Sequence, residues 1–413
     1  MFYRETEFQE TEIGEIPKDW NIERLGRLIN YVKGKKPKKL YDQKINENSL
    51  PYLTAEYMRG LETPKWCDPK EDPSMIKVNS DDVIMIWDGS YAGHVFTGFN
   101  GVLASTMIKI IPKYNNLDKK FLYYYLTISS RRLRRTTVGT GVPHINKKIF
   151  EELYIPLPPL EEQKRIANIL SMIDSSIESV DRTIAKLERI KKALLNKLLT
   201  GRIRVREENG KLTFYKETEF QDTEIGKMPK EWEVKRLGEL LVFGHGKRPS
   251  ELLLKGIVPV FGAGGFYGYT NAYMIDKPYV LILARVGVGS VGKVYLARGR
   301  VWVTDNAIYA YSRRTESVTA YVYYWLQINR KLIEKHVKRS AGGYAILTLA
   351  SLKNITIALP PENEQKNIVE TLNAVNNIIE IYEKEKKRLL RVKKGLMDLL
   401  LTGKIRVIDR QEL

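Results

Sequence analysis

Cysteine is nearly absent from this chain of 413 residues: Cys67 stands alone, which excludes an intramolecular disulfide and any cysteine-rich zinc cluster. Histidine is almost as scarce, and His94, His144, His245 and His336 are scattered rather than set at ligand spacing, so no structural metal is expected. No apolar run approaches the roughly 20 residues that cross a bilayer, and the first residues lack the basic-then-apolar layout of a signal peptide. A cytoplasmic protein with no membrane role is the expectation. Catalytic motifs are missing too. The stretch GVGSVG, Gly287 to Gly292, fits the G-x-G-x-x-G pattern after YVLILARV, but KVYLARGRVWVTD follows and reads as strand where a dinucleotide site needs a helix. GHGKRPS lacks the spacing and the Lys-Ser/Thr pair of a Walker A loop, and the LPP tripeptides are apolar where an amino-methyltransferase needs an amide or carboxylate. With no catalytic carboxylate cluster or Cys/His pair in view, the chain reads as a binder rather than a catalyst.

Acid is also in deficit. The net charge of +19 and pI near 9.6 point to a polyanionic partner, and an aromatic share of 10% argues against a merely disordered basic tail. Nucleic acid is the leading candidate, against the plainer reading of a basic protein that binds none.

What the sequence does contain is repetition. FYRETEFQETEIG, Phe2 to Gly14, recurs as FYKETEFQDTEIG, Phe214 to Gly226, with only Arg4 and Glu10 changed, to Lys216 and Asp222. The match continues through Pro17, Trp20, Arg24, Leu25 and Gly26, equivalent to Pro229, Trp232, Arg236, Leu237 and Gly238, at an offset of 212. A second block, IPLPPLEEQKRIANIL to LLTGRIRV (Ile155 to Val205), aligns without a gap to IALPPENEQKNIVETL to LLTGKIRV (Ile357 to Val407), at an offset of 202. The chain therefore alternates two kinds of segment, each present twice, and its tail GKIRVIDRQEL repeats the piece that leads from Gly201 towards Phe214.

The second block predicts a long helix in each copy. Pro158-Pro159 and Pro360-Pro361 pre-set a first turn, Glu161, Glu162 and Glu364 suit the positive N-terminus, and Gly201 and Gly403 stand where the helix stops. Apolar residues recur in alternating steps of four and three: Ile166, Leu170, Ile173, Ile177, Val180, Ile184, Leu187, Leu194 and Leu198 in the first, with Lys191 in register. The second has Ile368, Leu372, Val375, Ile379, Leu389, Leu396 and Leu400, with Tyr382, Lys386 and Lys393 in register. This is a coiled-coil seam, weighed against a helix buried in an ordinary bundle. Arg206 to Thr213 reads as a short linker, so the second helix is expected to run back along the first. Helices of roughly 58 Å, at about 1.5 Å per residue, would then hold two globular domains apart in a pseudo-two-fold arrangement. The expected fold class is α+β, with two mixed α/β domains and two long antiparallel helices. The expected segments are 1–154, a first recognition domain; 155–206, a first spacer helix; 207–356, a second recognition domain; and 357–413, a second spacer helix.

Within the globular segments, Val83 to Trp87, Tyr279 to Leu283, Val102 to Ile111 and Val301 to Tyr311 read as strands. FLYYYLTISSRRLRR and YVYYWLQINRKLIEKHVKR read as helices followed by the glycine-bearing loops GTGVPHI and AGGYAIL, and Gly89-Ser90 and Gly289-Ser290 as tight hairpins. The opening segments are acidic and alike, so they suit a task done twice; the rest is basic and divergent, so it suits DNA. Lys35, Lys36, Lys38 and Lys39, Ser90 and Tyr91, and Arg131, Arg132, Arg134 and Arg135 are the candidate DNA contacts of the first domain. Arg285, Ser290, Arg313, Arg314, Lys335, Lys338 and Arg339 are those of the second. Such density of Lys and Arg neutralises phosphates without sequence information, and base choice falls to side chains on the divergent loops. The plainer readings are solvated loops and, for RRLRR, a helix end favoured by the dipole. The tyrosines of YYYL and YYWL read as core residues rather than base-stackers.

TEIGEIPKDWNIERLGRL with its copy TEIGKMPKEWEVKRLGEL, and IPLPPLEEQKRIANIL with IALPPENEQKNIVETL, resemble the specificity subunit of type I restriction-modification systems. The resemblance covers essentially the whole chain. The second copy departs from the first only mildly there, with Ala358, Glu362 and Asn363 in place of Pro156, Leu160 and Glu161. It implies two target-recognition domains that read a bipartite double-stranded DNA site, and spacer helices between them. It also implies two methyltransferase subunits using S-adenosylmethionine and, in the full complex, restriction/translocase subunits using ATP and Mg2+, with no catalysis and no cofactor in this chain. On this reading, removal of seven residues from both helices shortens the spacer between half-sites. The competing readings are an autonomous DNA-processing enzyme and a coiled-coil scaffold without a nucleic-acid role.

Overall fold

The computed structural model describes residues 2–139, 141–287, 289–339 and 345–407. It divides into two compact units, Met1–Asp181 with Glu385–Leu413, and Arg182–Lys384. Sequence repeat and structural unit are out of step, because each unit holds one divergent segment and a part of each long helix.

Among the described residues of the first unit, four antiparallel strands lie in the order Val95–Phe96, Val83–Ile86, Met107–Pro112, Ile29–Lys33. A second sheet runs Trp66–Cys67, Leu50–Leu53, Gly101–Leu103, Lys77–Val78, with its middle pair parallel. The expected single strand from Val102 to Ile111 is thus two. The exposed pair Ser105-Thr106 turns the chain, with the Met107 N–H donating to the Ala104 carbonyl at 3.0 Å, and passes it from one sheet to the other. The helix Lys119–Arg135 is capped by Asp118, whose carboxylate accepts from the Phe121 N–H at 2.9 Å. It buries Phe121, Leu122, Tyr124, Leu126 and Leu133.

In the second unit six strands form one sheet, in the order Leu241–His245, Ala307–Ser312, Ile275–Ala284, Val294–Val303, Val258–Gly262, Gly265–Thr270. The expected strand Val301 to Tyr311 is likewise broken, here by the exposed pair Asp305-Asn306. The expected helix from Tyr321 to Arg339 is also interrupted: Glu316–Ile328 stops at Asn329, and Arg330–Lys335 begins anew. Asn329 leaves helical geometry at φ −103° and ψ 27°, and its side-chain amide donates to the Trp325 carbonyl at 3.0 Å, competing with the helical ladder. The tyrosine-rich helices are core elements, with Tyr124, Tyr321 and Tyr324 buried and their hydroxyls bonded to Asp174, the Ala358 carbonyl and Asn373.

The two long helices span Leu160–Leu198 and Glu362–Leu400, 39 residues each. Every seam position named from the sequence is buried or half-buried. In the first unit Asp174 pairs with Lys393 and Asp181 with Lys386, each at 2.5 Å. Seven residues forward on one helix match seven back on the other, so the helical segments of that unit are antiparallel. The segment Arg206 to Thr213 is not a linker. It lies in a hairpin of Ile203–Glu208 and Lys211–Lys216, closed by Asn209-Gly210 at φ 51° and 74°, the left-handed pair that a tight hairpin requires.

Two carboxylates of the repeated acidic opening meet one buried arginine in each unit. In the first, Phe2–Arg4 pairs with Ile405–Val407, and Arg406 is enclosed by Glu5 and Asp19 of the opening segment and Glu162 of the first long helix, at 2.7 to 2.8 Å. In the second, Arg204 meets Glu217, Glu231 and Glu364, the residues at the repeat-equivalent positions. Trp20 and Trp232 donate their indole N–H to Glu162 and Glu364 at 3.1 Å each. Gly403 and Gly201 end the long helices at φ +70° and +66°, and a Cβ on either would strike Pro17 or Pro229 at 2.3 or 2.2 Å. The same anchor is built twice.

Candidate nucleic-acid interface

The strand Ile29–Lys33 of the first unit ends at Gly34, whose N–H donates to the Met107 carbonyl at 2.9 Å. A Cβ here would lie 2.2 Å from the Ala104 oxygen, so only glycine allows the approach. Lys35, Lys36, Lys38 and Lys39 then stand exposed about a buried Pro37. Lys33 is drawn off to Asp88 at 2.7 Å, which ties this loop to the turn carrying Ser90 and Tyr91. Ser90 is exposed and Tyr91 half-buried. Arg131, Arg132, Arg134 and Arg135 are exposed at the C-terminal end of Lys119–Arg135, with Leu133 buried between them as the anchor. Arg131, Arg134 and Arg135 line a cleft of about 320 Å³ together with Gly89, Ser90 and Thr137, and no carboxylate lines it. The candidates from the loop, the turn and the helix end thus gather at one end of the first sheet. This arrangement can hold an anion with charge-assisted hydrogen bonds from guanidinium and hydroxyl.

The second unit repeats the plan. Gly246 donates its N–H to Ala307 at 3.1 Å, and a Cβ there would sit 2.1 Å from the Thr304 oxygen. Lys247 and Arg248 follow it, both exposed. They are not among the residues expected from the sequence, where GHGKRPS reads only as a segment without the spacing of a Walker A loop. The available signal was GKKP, Gly34 to Pro37, matching GKRP, Gly246 to Pro249, at the offset of 212 already set by the opening segments. Arg285 is half-buried at the start of the turn, its backbone held by Asn306 and Leu347. The Ser290 hydroxyl is turned inward to the Val286 carbonyl at 3.4 Å. Val288 of this turn, Thr140 of GTGVPHI, residues 340–344 of the AGGYAIL loop and residues 408–413 of the tail lie outside the described residues. Lys335 is exposed at the end of the helix Arg330–Lys335 and Lys338 is exposed in the two-residue strand after it; Arg339 ends that strand, and its side chain lies outside what is described.

Arg313 and Arg314 are exposed but are not brought to this end. Ala307 pairs with Ala284 beside the turn, whereas Arg313 follows the opposite end of the same strand, about 20 Å away at roughly 3.3 Å per residue. The strand Val294–Val303 follows GVGSVG directly, so that glycine run is a hairpin. Among the described residues no group of three His, Cys, Asp or Glu could hold a metal ion, and no helix is long and apolar enough to cross a membrane. Cys67 is buried, which pushes its thiol up to about 11.

A fold built twice, each copy with its own cationic sheet end, is the plan of a duplicated recognition protein. The chain belongs to the family described as "Type I restriction modification DNA specificity domain", which matches residues 17–189 and again 229–391. It is 34% identical to the type I restriction enzyme MjaVIII specificity subunit of Methanocaldococcus jannaschii over 98% of both chains, and 30% identical to the putative MjaX specificity subunit of the same organism, also over 98% of both. The crystal structure of a type I restriction-modification S subunit from M. genitalium has the same fold, with a TM-score of 0.68 at 19% identity over 92% of this chain and 96% of that one.

Proposed function

We propose that each unit reads one half of a bipartite double-stranded DNA site, and that the chain directs methyltransferase and nuclease subunits to it without catalysing their reactions. The observation that carries this is the duplicated Gly-Lys-(Lys/Arg)-Pro loop beside divergent turns. What repeats supplies sequence-independent phosphate contacts, and what differs supplies base choice. On this reading Lys35, Lys36, Lys247 and Arg248 meet phosphates, and the turns at Ser90 and Ser290 with the basic segments behind them face the bases. The long helices form a coiled-coil seam, two methyltransferase subunits bind, S-adenosylmethionine, ATP and Mg2+ belong to the partner subunits, and the complex works in the cytoplasm. Sequencing of modified bases in cells that express the chain with its methyltransferase tests this. Methylation confined to one two-part sequence is expected; methylation without sequence preference, or at a single uninterrupted motif, contradicts it.

A further inference from the structure

Arg134, which lines the cleft of the first unit, is bonded from behind by a group that the charge pattern did not single out. His94 closes the turn after Ser90 and Tyr91, its N–H donating to the Tyr91 carbonyl at 3.1 Å and its carbonyl accepting from Ile86 at 2.9 Å. Its ring stacks on Tyr91 with centroids 5.6 Å apart and planes 22° from parallel. The Arg59 guanidinium lies over the same Tyr91 ring, 3.5 Å from its centroid, and its buried Nη1 has no hydrogen-bond partner among the described residues. The Arg134 Nη1 is 3.2 Å from the His94 Nε2. Arg134 also packs on Gly93, at φ +90°, where a Cβ would come 3.0 Å from its Cγ.

A guanidinium only donates, so this bond exists only while Nε2 keeps its lone pair and the ring is neutral with its proton on Nδ1. The charged groups around His94 are Arg134 from the helix end and Arg59 from the segment after Ala55–Met58; Tyr91 faces it from its own turn, and no carboxylate bonds to either arginine among the described residues. Burial, then Arg134 and Arg59, hold the imidazole below its ordinary value, so it is neutral at physiological pH. On acidification Nε2 takes a proton from solvent and becomes a donor facing a donor. The bond is lost and the two cations repel.

We infer that His94 is a positioning residue for DNA discrimination: in its neutral form it fixes Arg134 over the cleft, and its protonation trades sequence discrimination for indiscriminate phosphate attraction. This rests on the DNA-reading function proposed above and adds to it a proton-sensitive element. The repeat-equivalent turn of the second unit has Lys293 after Gly292, where the first has His94 after Gly93.

The test uses the complex with its methyltransferase and two short duplexes, one bearing the site mapped by methylation and one of scrambled sequence. For the unaltered complex the ratio of the two affinities should fall by up to about tenfold, the worth of one good contact, as the pH is lowered from about 8 to below the ordinary histidine value, while binding to the scrambled duplex tightens. His94→Ala should have a low ratio at both pH values. His94→Gln, whose amide oxygen accepts from Arg134 but does not titrate, should recover the ratio relative to His94→Ala and keep it level across the range. A flat profile for the unaltered complex, a His94→Gln profile that falls in parallel with it, or a His94→Ala ratio equal to the unaltered one overturns the inference alone. A ratio near one already at pH 8 in the unaltered complex overturns the DNA-reading function as well.

Discussion

Arg406 and Arg204 show what a single residue contributes to this fold. Each is buried with a glutamate from a long helix that is itself 2% or 5% exposed, so removal of the cation leaves a carboxylate unpaired out of water. Arg406→Met is expected to destabilise the first unit by about 3–5 kcal/mol, and Arg204→Met the second, as measured by denaturant unfolding. The acid response follows from the same groups. Burial pushes Glu5 and Glu217 up, but backbone N–H groups and the arginine outweigh it and hold both carboxyls below their ordinary value of 4.5. A lowered carboxyl stabilises the fold above its unfolded value, and that contribution is lost as pH falls from about 4.5 through the lower folded value. The melting temperature should therefore fall with pH in that range, and less so in a Glu5→Gln, Glu217→Gln double variant. Glu5, Asp19, Glu217 and Glu231 of these anchors were visible in the sequence as part of a repeated acidic segment, whereas Glu162 and Glu364 read only as charges suited to a helix N-terminus. Their partner was not, because Arg406 stands 401 residues from Glu5 and no local pattern joins them.

Among the elements, the two loops after Gly34 and Gly246 are the repeated pieces of the candidate interface. Replacement of Lys247 and Arg248 by glutamine should reduce the slope of log affinity against log salt by about two, one for each phosphate contact, and weaken all duplexes alike. A variant that instead alters which sequence is preferred would place these residues on bases. Gly246→Ala should displace the loop or destabilise the sheet, because the added methyl meets the Thr304 carbonyl at 2.1 Å; an unchanged melting temperature and affinity would contradict the close approach. The existence and length of the long helices were legible, since proline, glycine and heptad spacing are local signals. The broken strands at Ser105-Thr106 and Asp305-Asn306 were not, because apolar runs on both sides of a two-residue turn read as one strand until their separate pairing partners are known, in two sheets for the first and within one sheet for the second. The Asn209-Gly210 hairpin was legible and was passed over as a linker.

For the molecule as a whole, duplication is the organising fact. It was the clearest signal in the sequence, and it separates what each unit needs for assembly from what it needs for recognition. The candidate interface was only half legible: charge located Lys35 to Lys39 and RRLRR, but it also gathered Arg313 and Arg314, which share net charge with the others and not their end of the sheet. Charge density does not encode direction. The central claim is that the two units read DNA independently. Its most direct test is to replace the segment between strands Asn21–Arg24 and Tyr154–Leu157 with the corresponding segment of a relative, and to map methylation directed by the chimera. One half of the modified site should change while the other is retained. A change in both halves, or in neither, would contradict the account.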